Sequence, residues 1–229
     1  MFDAATARRH MVDGQIRTAD VTNPDLIAAM QAIPRENFVA PELADQAYRD
    51  GDVSIGHGRA LLRPIVLGKL LQGANVRVGD QVLNVGCGTG YSAAVLAHMG
   101  TAVVALEQDP DLARQAESAL AAIGARQVTV VTGPLVAGWP AAAPYDLILL
   151  DVEMPGIDGL ELCKRLRALP AYEKTPVIYV TIHSDFETQS RTLMSGGNDL
   201  IAKPIQPAEL AVKAVMHLLK HSKAMPDQN

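Results

Sequence analysis

A chain of 229 residues holds one large domain or two small ones, and its 48% hydrophobic and 20% charged residues are those of a globular protein rather than a disordered or collagenous one. Lys plus Arg number 20 against 25 Asp plus Glu, a net charge of −5, and no basic run could neutralise a row of phosphates, so nucleic-acid binding by bulk charge is excluded. No apolar run approaches a bilayer span and residues 1–10 lack the apolar core of a secretory signal, so a cytoplasmic protein with no membrane partner is expected. Cys87 and Cys163 stand far apart without metal-ligand spacing, which predicts reduced thiols, no disulfide and no metal site.

Residues 1–75 read as a helical N-terminal extension. Leu26, Ile27, Met30 and Ile33 share one face, and Pro34 closes that stretch. Gly56, Gly58, Arg59 and Arg63 predict an ordered loop over 52–64, leading into an apolar helix over 65–71. From residue 82 the pattern changes to short apolar runs at 82–85, 103–106, 128–131, 147–150, 177–180 and 200–202, which read as buried strands. Helical stretches over 92–99, 111–123, 159–169 and 185–195 separate most of them, and 207–220 closes the pattern. The 133–144 connection, with Trp139, Pro140 and Pro144, is too broken for a long helix. Alternation of strand and helix predicts an α/β, doubly wound parallel sheet within 76–221, followed by a short tail at 222–229.

Gly86-Cys87-Gly88-Thr89-Gly90 follows the first of these strands and opens a helix, so backbone N–H groups can approach a ligand where side chains would collide. One strand later Glu107 ends a run where a carboxylate can accept both hydroxyls of a ribose. The pairing predicts a nucleoside-containing ligand; a tight turn beside a solvated acid is the plainer reading of the same residues.

Residues 8–150 resemble the protein L-isoaspartate O-methyltransferases, on Met11-Val12-Asp13-Gly14-Gln15-Ile16-Arg17, Ile33-Pro34-Arg35-Glu36-Asn37-Phe38-Val39, Ser54-Ile55-Gly56-His57-Gly58, the 82–96 segment, Glu107 and Val130-Val131-Thr132-Gly133. The resemblance implies an S-adenosylmethionine or S-adenosylhomocysteine site: the 86–90 loop at the methionine part, Glu107 at the ribose and Gly133 near the adenine. Where that family carries a serine for the acceptor carboxylate this chain has Leu62, with Arg59 and Arg63 nearby, and Pro134 stands where the family commonly has an acid. His57 reads as a turn residue rather than a base.

From Asp151 the chain runs Val152-Glu153-Met154-Pro155-Gly156-Ile157-Asp158-Gly159, and to about residue 220 it resembles the second half of a response-regulator receiver. That resemblance implies a phosphoacceptor at Asp151, a hydroxyl at Thr181 and a charge partner at Lys203 in a cis Lys203-Pro204 pair. The receiver's acidic pair has no counterpart at 84–87, so magnesium is not expected and an Asp151 to Lys203 ion pair is favoured over phosphorylation. Methyltransferase sheets run 3-2-1-4-5, and a receiver sets its third strand beside its first. Sharing the 145–151 strand therefore implies one Rossmann-like sheet of six parallel strands in the order 3-2-1-4-5-6, with a methyltransferase-like half at 76–150 and a receiver-like half at 151–221. Asp151 would then border the cofactor.

The leading reading is a hybrid, engineered chain that keeps the cofactor site. Methyl transfer, its catalytic residues and any protein or peptide acceptor are left open. The rival readings are an active isoaspartyl-type carboxyl methyltransferase, a phosphorelay receiver and a purely structural chain.

Overall fold

The computed structural model describes residues 2–151, 153–154, 157–181 and 199–202. The chain begins with α1 (Ala4–Met11), whose N-cap Asp3 accepts the Thr6 N–H at 3.2 Å. A π-helical turn at Val12–Ile16 continues it and buries Met11, Val12 and Ile16. The α2 helix (Pro24–Ala32) starts at an Asn23 cap with proline in its first turn, and buries Leu26, Ile27 and Met30 as the periodicity requires. Ile33 is buried too, but in extended backbone just past the helix, consistent with the restriction that Pro34 imposes on its predecessor.

The segment expected as an ordered loop is a small antiparallel hairpin, β1 (Val53–Gly56) and β2 (Arg59–Leu61). Its tip runs through three left-handed residues, Gly56 at φ 83°, His57 at 55° and Gly58 at 69°. Two glycines make that reversal inexpensive, which is why the composition is legible as a turn, while strands of four and three residues carry too few apolar positions to stand out. The α3 helix (Pro64–Ala74) follows and ends at Asn75 in left-handed backbone.

Strands and helices then alternate: β3 (Gln81–Val85), α4 (Tyr91–His98), β4 (Ala102–Glu107), α5 (Pro110–Ala122), β5 (Val128–Thr132) and β6 (Leu147–Asp151). Two 3-10 turns, Leu135–Ala137 and Pro140–Ala142, occupy the proline-rich connection in place of a helix. A second hairpin of two-residue strands, β7 (Glu153–Met154) with β8 (Ile157–Asp158), precedes α6 (Gly159–Arg167), β9 (Val177–Thr181) and β10 (Asp199–Ala202). The sheet order is β10-β9-β6-β3-β4-β5 with every pairing parallel, which is the expected 3-2-1-4-5-6 arrangement read from the other edge. The helices expected over 185–195 and 207–220, and the 222–229 tail, lie outside the described residues.

Period-two alternation divides the sheet into two buried faces. Val82, Val103, Ala105, Leu147 and Leu149 pack with α2, α3, α4 and α5, so side chains from residues 11–71 share one hydrophobic core with the sheet. Leu83, Val85, Val104, Leu106, Ile148 and Leu150 pack on the opposite face with Leu162, Cys163 and Leu166 of α6. Coverage of both faces explains why these strands read as continuous apolar runs. Cys87 and Cys163 are both free and buried.

Candidate functional site

The carboxyl ends of β3, β4 and β6 form one rim, and the β1–β2 hairpin lies over it. Gly86, Gly88 and Gly90 all have positive φ (69°, 57° and 92°), so the loop between β3 and α4 takes a path that L side chains rarely adopt. A Cβ on Gly88 would stand 2.8 Å from Ile55 Cδ1 of the hairpin, and one on Gly90 3.1 Å from Leu120 Cδ1 of α5. Positive φ thus favours glycine at all three positions, and at Gly88 and Gly90 an added Cβ would also crowd a neighbouring side-chain end that has to shift. The Gly86 and Cys87 N–H groups bond the Leu106 carbonyl of β4 at 2.8 and 3.1 Å, tying the loop to the neighbouring strand.

Glu107 is fully buried. Its Oε1 accepts the N–H groups of Gln108 and Asp109 at 2.9 and 3.1 Å, and its Oε2 accepts that of Gly88 at 2.8 Å. Arg59 completes the set: Nη1 stands 3.5 Å from Oε2, and Nη2 donates to the Gly86 carbonyl at 2.8 Å. A buried carboxylate with three backbone donors and a guanidinium is fully compensated, which is how it tolerates burial. The sequence placed Glu107 at the strand end; it carried no signal that Arg59, 48 residues earlier, would face it.

His57, expected as a turn residue, sits in the turn and also makes a contact. Its Nδ1 lies 2.7 Å from Asp109 Oδ2, while Asp109 Oδ1 caps α5 by accepting the Asp111 and Leu112 N–H groups. Burial raises the Asp109 carboxyl, but those two N–H groups and the His57 ring outweigh it and hold the group below the ordinary carboxylate range. The hairpin is thus clasped twice, by His57 to the Asp109 cap of α5 and by Arg59 to Glu107 at the end of β4. Arg63 is different: 47% exposed, it pairs with Asp52 at 3.6 Å. Of the two arginines flanking the expected acceptor region, one is a site residue and the other a surface charge.

The remaining expected residues take varied places. Thr89 is buried with its hydroxyl donating to the Phe38 carbonyl at 2.7 Å, so it joins the loop to the N-terminal region. Burial, then the neighbouring Glu107 charge, push the Cys87 thiol far up, leaving it protonated and a poor nucleophile. The Gly133 N–H bonds the Glu107 carbonyl at 3.0 Å, and a Cβ there would meet Trp139 at an ordinary 3.6 Å, so neither backbone nor space demands glycine. Asp151 ends β6, and because Leu150 is level with Val85 it comes level with the start of the glycine loop. In the other direction Asp151 pairs with Val180, one residue before Thr181 at the end of β9. Lys203 lies outside the described residues.

Sequence reasoning missed the buried Arg35. Its Nε and Nη2 donate to the carbonyls of Ala47 and Leu62, its guanidinium stacks 4.7 Å from the Tyr91 ring centroid, and burial lowers its pKa. It fastens the chain just before α3 to the rest of the N-terminal region. A cavity of about 200 Å³ opens between the hairpin and the sheet, lined by Arg59, Leu62, Asn84, Gly86, Thr89 and Leu150 among others. Glu107 stands behind Gly88 and Arg59.

A parallel sheet with a glycine loop after its first strand and a buried acid after its second defines a Rossmann-like α/β protein of the methyltransferase type. The chain belongs to the protein-L-isoaspartate(D-aspartate) O-methyltransferase family, whose pattern matches residues 6–166. It is 43% identical over 148 residues to a protein-L-isoaspartate O-methyltransferase of Methylorubrum extorquens, a match covering 65% of this chain and 64% of that one. It is 38% identical over 161 residues to one of Gloeobacter violaceus, covering 68% and 78%. The chain thus spans less than two thirds of the Methylorubrum relative. In structure it is similar to a Plasmodium falciparum protein described as a beta-aspartate methyltransferase, solved in complex with S-adenosyl-L-homocysteine, at a TM-score of 0.55, 18% identity and coverage of 68% and 78%. The family match runs past the junction expected near residue 150, and these matches give no support to an engineered hybrid or a receiver component. Among the described residues no helix is long and apolar enough to cross a membrane.

Proposed function

We propose that this chain is an active, S-adenosylmethionine-dependent carboxyl methyltransferase that acts on isoaspartyl residues of proteins or peptides. The observation that carries the reading is the buried Glu107 carboxylate, held by three backbone N–H groups beside a left-handed glycine loop that lines the cavity. A cavity lined by that loop and an acid at the strand end suit the amino-acid and sugar parts of the cofactor. Family membership and the ligand of the Plasmodium neighbour support the same choice.

When bound, the cofactor supplies a methyl group on a positively charged sulfur. An acceptor carboxylate is already ionised near neutral pH, so its oxygen can attack without a base. One carbon–oxygen bond forms as one carbon–sulfur bond breaks, the products are a methyl ester and S-adenosylhomocysteine, and no proton moves. The protein's task is then alignment in line with that bond and exclusion of water. In this reading Glu107 orients the ribose, the 86–90 loop lies against the methionine part, Gly133 lies near the adenine, and Asp151 borders the sulfur. The protonated Cys87 thiol does not compete for the methyl group.

The test is transfer of labelled methyl from S-adenosylmethionine to an isoaspartyl peptide, beside thermal unfolding with and without S-adenosylhomocysteine. Base-labile label in the peptide and a ligand-raised midpoint are expected. A raised midpoint with no transfer would return the chain to the cofactor-binding reading.

A second reading keeps a receiver-like portion after residue 150. It is favoured by the parallel pairing of β9 with β6 and β10 and by the register that sets Asp151 and Thr181 on adjacent strand ends. Treatment with a small phosphodonor and magnesium distinguishes it: an adduct lost in Asp151→Ala is its signature, and its absence refutes it.

A further inference from the structure

Arg59 is the only cationic residue lining the cavity among the described residues. An ionised carboxylate offers about four acceptor positions. On Glu107 all are engaged: two on Oε1 by Gln108 and Asp109, and two on Oε2 by Gly88 and Arg59. The three N–H donors belong to the backbone of the glycine loop and of the turn into α5, and they cannot leave without unmaking those elements. Arg59 is the exception, a long side chain on a short hairpin with the longest of the four contacts, 3.5 Å. Of the four donors, Arg59 is the one that a vicinal diol could replace without unmaking backbone structure.

Other cations near the cavity have fixed roles. Arg35 is wholly buried and held by two carbonyls, and Arg63 faces outward against Asp52. Leu62, which also lines the cavity, offers no hydroxyl or charge. An acceptor carboxylate entering this cavity also meets Asp52 and, behind Arg59, Glu107, so it needs a positive partner.

The geometry points to Arg59 as an exchangeable counter-ion: the ribose hydroxyls displace it from Glu107, and the released guanidinium then pairs with the carboxylate of the isoaspartyl acceptor. This rests on the methyltransferase reading. It makes Arg59 a specificity-determining residue for the acceptor, and it orders binding with cofactor first and acceptor second, because Arg59 is free for the second only after the first has arrived. A planar, two-pronged guanidinium suits both partners in turn, first a carbonyl and a carboxylate oxygen, then both oxygens of one carboxylate.

The experiment compares the full chain with Arg59→Gln and Arg59→Lys, reading S-adenosylhomocysteine affinity by calorimetry and isoaspartyl-peptide KM and kcat by labelled methyl transfer. Arg59→Gln should bind S-adenosylhomocysteine about threefold to tenfold more tightly, since the ligand no longer displaces a charged donor. Its peptide KM should rise about tenfold or more while kcat at saturating peptide changes little. Arg59→Lys, which keeps the charge and loses the fork, should fall between on both measures and decides the matter alone should Arg59→Gln unfold. Equal or weaker ligand affinity in the variants overturns the exchange, as does an unchanged peptide KM. A parent chain that neither binds S-adenosylhomocysteine nor transfers methyl overturns the methyltransferase reading itself, and the exchange with it.

Discussion

Replacing Glu107 by glutamine alters one atom of the site and reverses the sense of two contacts. The amide must present its oxygen to one pair of donors and its NH2 group to the other. Keeping the oxygen on Gln108 and Asp109 turns the NH2 group against the Gly88 N–H, now 2.8 Å from a carboxylate oxygen, and against Arg59. A charge-assisted hydrogen bond contributes about 1.5–3 kcal/mol, and a buried N–H left without an acceptor costs about 1–3 kcal/mol more. The Arg59 contact, long and partly solvated, adds at most about 1 kcal/mol. The opposite orientation strands two backbone N–H groups and is worse. Glu107→Gln should therefore lose about 3–5 kcal/mol, a large part of the roughly 5–15 kcal/mol that holds a domain together. With a urea dependence of about 2–3 kcal/mol per molar, the unfolding midpoint followed by circular dichroism should drop by roughly 1–2 M. A drop under about 0.3 M would mean that the three N–H groups find other acceptors and that Glu107 does not organise the loop.

Two further outcomes follow from the same rim. Gly88→Ala should cost about 1–2 kcal/mol, because φ 57° is unfavourable for an L side chain, while the clash with Ile55 Cδ1 is relieved by rotating a side-chain end; chemical denaturation measures it, and a neutral variant would refute the left-handed loop. Asp109 has a folded-state pKa below its ordinary value of 3.8, so its stabilisation is present above that value and is lost as the pH falls through the lower, folded-state one. Asp109→Asn keeps the cap acceptor and removes the titration, so the urea midpoint should fall less steeply between pH 5 and pH 3 than in the parent; parallel curves would show that the carboxyl is not depressed.

Much of the framework was legible in the chain because it rests on local rules. Apolar runs of three or four residues separated by helical stretches mark the six sheet strands, and Pro34 marks where the first apolar helical stretch ends. Positive φ at Gly86, Gly88 and Gly90 follows from a strand that must turn at once into a helix, so that half of the site announced itself. The glycines and arginines of 52–64 outweigh the alternation of only two apolar residues, Val53 and Ile55, in β1, so composition alone predicts a loop there.

Sequence by itself determined the parallel α/β framework, the glycine turn and the acid at the end of the second sheet strand, since each is encoded within a few neighbouring residues. Only the tertiary structure decided that the hairpin folds over the rim, that Arg59 rather than Arg63 turns inward onto Glu107, that His57 finds Asp109 and that Thr89 is spent on Phe38. These contacts join residues about 50 positions apart. Two arginines four residues apart have the same chemistry; which one is buried depends on the twist of a three-residue strand and on where a carboxylate already lies, and neither is written in the spacing of the chain.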